Sequence, residues 1–160
     1  MTSSSRILLG IDPGLRHTGW GVIAQQGNRL SFKAAGRISP DPAAPMALRL
    51  LALAEGIDNL VKAHQPDEAA IEETFVNRNA RSALILGQAR GSVILALAQN
   101  GLSVAEYAAN RIKQSVTGYG HAEKTQIQAM IALLLPGSGK LVTDAADALA
   151  VAVTHAHHRT

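Results

Sequence analysis

Cysteine is absent from this chain of 160 residues, so neither a disulfide nor a thiolate metal site is open to it. Any metal it binds must be held by carboxylates, histidines or water, which favours hard cations. A reducing cytoplasm is the expected compartment. Long apolar runs are missing as well. The opening "MTSSSRILLGID" has a lone Arg6 and only a short apolar stretch before Asp12, too little for the core of a signal peptide, and no run is expected to span a membrane. There is no internal repeat, no low-complexity tract and no linker that would divide the chain.

What remains is a chain that is 47% hydrophobic and long enough for one full core, so residues 1–160 are expected to form a single domain. The net charge is only +3, but it is distributed in blocks. Residues 41–75 hold Asp41, Glu55, Asp58, Asp67, Glu68, Glu72 and Glu73 against Arg49 and Lys62. Residues 76–140 reverse the balance, with Arg78, Arg81, Arg90, Arg111, Lys113, Lys124 and Lys140 against Glu106 and Glu123. A basic half beside isolated acids suits an enzyme acting on a polyanion, in which cations neutralise phosphates and acids hold metal. The plain alternative is a solvated basic surface.

Residues 6–13, 18–26 and 29–39 are short and β-rich, broken by "PGLRH" and "QGN", and read as an antiparallel meander. Helical spacing of apolar residues follows over 44–64. A strand is expected at 67–75, a long helix at 77–100 and a strand at 102–108. Helices are then expected near 109–117 and 122–135, with a last one starting near Thr143. Gly87 and Gly91, one turn apart, cost helix stability and so predict close approach of a partner or of the sheet. Three meander strands followed by alternating helices and strands indicate an α/β domain with a mixed sheet.

The acids stand at telling places. Asp12 ends an apolar strand and is followed by Pro13 and Gly14, which on its own is ordinary turn chemistry. Glu72 and Glu73 end "AAI"; alternation sends them to opposite faces, so only one can join Asp12. Thr143 reads as an N-cap, with Asp144 and Asp147 on nearly one face of the first turns. Acids are favourable at a helix start, but Asp147 lies in a segment otherwise apolar through Val153 and needs a partner. Carboxylates at two strand ends and a helix start suit Mg²⁺, and two such ions suit phosphodiester hydrolysis.

Together, "GIDPGLRHTGWGVI", "AIEETF", "ALILGQARG", "YAANRIKQSVTGYGHAEKTQIQ" and "DAADALAVAVTHAHH", in this order, resemble the RuvC family of bacterial Holliday-junction resolvases over residues 7–158. The resemblance implies a ribonuclease H-like fold, with a five-stranded mixed sheet flanked by helices. It further implies a homodimer, Mg²⁺ dependence with two ions per site, and paired symmetric nicks in strands of like polarity at a four-way DNA junction. Asp12, Glu72, Asp144 and Asp147 become the metal-binding catalytic residues. Lys113 and Lys124 fall at the DNA, Phe75 against a destacked base, and Arg78 and Arg81 beside phosphates. A RuvA–RuvB branch-migration complex is the expected partner.

Two other classes compete. Sugar-kinase and actin-like ATPases open with a similar strand, acid and hairpin but need a second lobe. A junction-binding module without activity would not need all four acids. The terminal "HAHHRT" reads as a frayed helix end with cations near its negative pole rather than as a metal site, and His17 and His121 carry no assigned role.

Overall fold

The computed structural model describes residues 4–73 and 79–159. Five strands form one sheet: β1 (Arg6–Asp12), β2 (Thr18–Gln26), β3 (Arg29–Ile38), β4 (Glu68–Glu73) and β5 (Val104–Ala108), in the order β3-β2-β1-β4-β5. The expected meander is antiparallel, and β4 and β5 then add in parallel beside β1. Parallel strands require crossovers. These are made by α1 (Met46–His64) and α2 (Ala80–Gln99); α3 (Ala109–Thr117), α4 (Lys124–Leu134) and α5 (Thr143–His158) follow.

Each face of the sheet has its own core. Leu9, Ile11, Val22, Ala69 and Ile71 pack with Ile57, Leu60, Val93, Ala96 and Leu97 of α1 and α2. Leu8, Ile23 and Ala70 pack with α5 and with Ile112, Val116, Ile127 and Ile131 of α3 and α4. The α5 segment from Ala148 to Ala156 is buried throughout, and it lies directly on glycine. A Cβ on Gly10 would come within 2.2 Å of the Ala148 carbonyl oxygen, and one on Gly19 within 2.0 Å of that of Asp144. The small residues of α5 and the bare glycines of β1 and β2 bring helix and sheet into backbone contact.

Three expectations are corrected. Thr143 is not the N-cap of α5: Val142 holds that position without a side-chain hydrogen bond, and Thr143 is already helical. The terminal histidines are not frayed. α5 continues to His158, and His155 is buried, with Nε2 2.7 Å from Glu68 Oε2 and Nδ1 2.8 Å from the Tyr107 hydroxyl. α2 is long and apolar enough by composition to cross a membrane, contrary to the expectation that no segment is, yet its Ala89, Val93, Ala96 and Leu97 are core residues seated on the sheet and α1.

Candidate active site

Strand parity decides which acids meet. Leu8 and Ala70 face the α5 side, whereas Leu9, Ile11, Ala69 and Ile71 face α1 and α2. Ile11 stands opposite Ile71 in the parallel pair. Asp12 and Glu72, one residue further on, therefore project side by side beneath α5, and Glu73 turns to the other face. The choice left open between the two glutamates falls on Glu72.

Asp12, Glu72 and Asp147 line one cleft of about 590 Å³ together with Lys113, His121, Glu123 and Lys124. Its apolar floor includes Ile112, Ile127 and Ala150. α4 is set by a capping box: the Glu123 backbone N–H donates to Gln126 Oε1 at 2.8 Å while the Glu123 side chain accepts from the Gln126 backbone. This makes Lys124 the first helical residue, with Nζ 3.6 Å from Asp147 Oδ2. Asp144 lies outside the cleft lining, three residues before Asp147, with Oδ2 3.7 Å from Arg37 Nη1.

The acids are short of positive charge. Burial, then the charges of Glu72, Asp147 and Asp144, pushes the Asp12 carboxyl up to about 8, and it shares a hydrogen bond with Glu72. Burial and Asp147 also raise Glu72, while Asp12, Lys113 and Lys124 pull it back. Asp147 is raised by burial against the opposing pull of Lys124. Among the described residues no three acid or histidine groups already stand close enough to enclose an ion. The donor set nevertheless fits one: hard oxygen donors, partly desolvated, mutually repelling and free of thiolate, a charge arrangement that an added divalent cation relieves.

The other sequence candidates divide. Lys113 and Lys124 reach the cleft. Arg81 is exposed in the first turn of α2, where its backbone N–H donates to the Asn79 side chain at 3.0 Å, and its side chain does not enter the cleft. Phe75 and Arg78 lie outside the described residues. Sequence reasoning missed His121, which lines the cleft edge-on to Tyr119, and Arg37, whose only signal was a cation at the end of a meander strand.

The chain as a whole is similar to known proteins. Residues 8–155 match the family described as crossover junction endodeoxyribonuclease RuvC. A protein of that name from Azorhizobium caulinodans is 59% identical over 99% of this chain and 94% of its own length. One from Methylorubrum populi is 55% identical over 99% of this chain and 84% of its own. Thermus thermophilus RuvC, 30% identical, superposes with a TM-score of 0.83 alone and 0.87 in complex with a Holliday junction substrate, each over 94% of this chain and 93% of that one. The yeast mitochondrial Holliday junction resolvase Ydc2, at 9% identity and a TM-score of 0.65, shares the fold. With the match running from β1 into α5 and more than half of all residues shared with such relatives, the chain belongs to the RuvC family of crossover junction endodeoxyribonucleases.

Proposed function

We propose that this protein resolves four-way DNA junctions by metal-dependent hydrolysis of phosphodiesters, nicking two strands of like polarity symmetrically. The observation that carries the reading is the meeting of Asp12, Glu72 and Asp147 in one basic-rimmed cleft, with Asp144 one turn away. Asp12, Glu72, Asp144 and Asp147 would hold two Mg²⁺ ions, which supply Lewis acidity and neutralise charge on the reacting phosphate. The chain does the rest. Asp12 would serve as a carboxylate ligand, Lys113 and Lys124 hold the phosphate backbone at the mouth, and the apolar floor limits water. Phe75 stacks on a base opened at the crossover, and Arg78 and Arg81 contact phosphates beside it.

Two cuts need two sites, and α2 supplies the face for a second copy. Leu84 and Leu95 are 64% and 59% exposed, and between them on the same stripe lie Gly87 and Gly91, above which a Cβ would meet nothing within 4 Å. Among the described residues the close packing expected of these glycines is thus not made, which leaves the face to a partner helix. The cytoplasm and a RuvA–RuvB partner complete the proposal on the strength of family membership.

A synthetic four-way junction tests it. With Mg²⁺ the parent should release paired, symmetric nicked products, and with chelator it should bind without cutting; cleavage that ignores chelator, or no cleavage in Mg²⁺ or Mn²⁺, refutes the enzyme reading. Sedimentation should give about twice 16.8 kDa, and Leu84→Glu should give a monomer.

A further inference from the structure

Asp12, Gly19 and Arg37 stand in one row across β1, β2 and β3, since Asp12 pairs with Gly19 and Gly19 with Arg37. Directly opposed residues of antiparallel strands share a face, so Arg37 points to the same side as Asp12, toward α5. Gly19 between them has no side chain, and Asp144 rests on its backbone. The guanidinium therefore reaches the start of α5 across bare backbone, with Nη1 3.7 Å from Asp144 Oδ2. On the other flank Lys124 Nζ is 3.6 Å from Asp147 Oδ2. The two acids of α5 are thus each engaged by one cation, from opposite sides. Lys124 lines the cleft and Arg37 does not.

The Arg37 side chain is 43% exposed and that of Asp144 32%, so ions and phosphates reach both. A guanidinium paired with a carboxylate competes with a divalent ion for its oxygens. Once the ion takes them, the guanidinium loses its partner, and the strongest acceptor then arriving at the site is a DNA phosphate, which its planar fork matches.

We propose that Arg37 is a positioning residue that exchanges partners: it holds Asp144 in the metal-free protein and turns to a backbone phosphate of the junction once divalent cations occupy the carboxylates. It extends the basic rim formed by Lys113 and Lys124 across β3, so that the bound strand is gripped on both flanks of the acids. The exchange rests on the metal-site reading above.

Arg37→Gln and Arg37→Lys test it in the full chain with two readouts. The first is Mn²⁺ binding to the DNA-free protein, followed by electron paramagnetic resonance. The second is the salt dependence of four-way-junction binding with Ca²⁺ replacing Mg²⁺, so that the DNA stays uncut. Arg37→Gln should bind Mn²⁺ up to about fivefold more tightly, the amount a competing surface ion pair is worth. Its slope of log affinity against log salt should shrink by about 0.9, for one phosphate no longer neutralised. Arg37→Lys, which keeps the charge, should keep the slope. Unchanged Mn²⁺ affinity or an unchanged slope in Arg37→Gln overturns the exchange. Should glutamine lower the melting temperature, Arg37→Met, which keeps the apolar stem, replaces it in both readouts. A parent that binds no Mn²⁺ and cuts no junction sinks the metal site itself; a parent that does both, beside an indistinguishable Arg37→Gln, sinks only the exchange.

Discussion

β4 carries two glutamates four residues apart on the same face of the sheet, and their surroundings are opposite. At the strand's end, Glu72 shares a desolvated cleft with Asp12 and Asp147, and its carboxyl is raised. At its start, Glu68 accepts from Arg159 Nη2 at 2.6 Å and Nε at 3.2 Å, meets His155 at 2.7 Å, and is held down at about 2, chiefly by the bonds from Arg159 and His155. α5 joins the two sites: its acids lie over Glu72, its last turn over Glu68. Acids at a helix start and cations at its end both follow the helix dipole. Only one end is balanced, however. The Glu68 end is paired with cationic and histidine side chains of the chain itself, whereas the Glu72 end has more acid than cation, the imbalance on which the proposed metal site rests.

The largest break in this contrast should come from the unbalanced end. Asp147→Asn should lower single-turnover junction cleavage by about a thousandfold, several kcal/mol of lost metal-ion assistance, while junction affinity persists or rises as a charge facing phosphate disappears. Cleavage at the parental rate would show that Asp147 holds no metal. In chelator the parent should lose stability as pH rises from about 4 to 8, because a carboxyl raised on folding must be deprotonated against burial and its neighbours. Asp12→Asn should flatten that decline in a series of melts.

Glu68→Gln should cost about 2 kcal/mol of stability by urea unfolding, as charged hydrogen bonds are lost at a site that solvent still partly reaches, with cleavage per folded molecule unchanged. The pH dependence has the opposite sign to that of Asp12. Glu68 is depressed on folding, so its contribution is complete above about 4.5 and is lost as pH falls toward 2, and melts in acid should show the parent converging on Glu68→Gln.

Tyr107→Phe removes one hydrogen bond to His155 from the balanced end and should cost about 1 kcal/mol in the same unfolding assay. The smallest effect is expected from Lys124→Ala. Its salt slope should fall by about 0.9, which is three- to fourfold in affinity between 50 and 200 mM salt. An undiminished slope would remove Lys124 from the DNA.

The two ends were unequally legible in the sequence. The acids at the unbalanced end carry local marks: Asp12 closes an apolar strand, and Asp147 interrupts an apolar helix. Strand parity alone left Glu72 and Glu73 open, because the phase is fixed only by the pairing of Ile11 with Ile71. The balanced end was misread. His155 meets Tyr107 and Glu68 across 48 and 87 residues, and nothing local distinguishes a buried histidine from a solvated one near a chain end. Arg37 was missed for the same reason, since its partner lies on a helix far along the chain. Thr143 was placed one position off because cap preference is a local tendency that packing overrides.

Gly19 has no functional group, yet it belongs to the catalytic target of mutation. One methyl there would act as a wedge under the first turn of α5, where no space exists for it, and would lift both helix acids away from those of the sheet. Misplacement by about 1 Å is enough to cost roughly a hundredfold in rate. A substitution at Gly19 therefore acts on an empty space rather than on a charge, and a lesion that alters no reactive atom is expected to silence the enzyme.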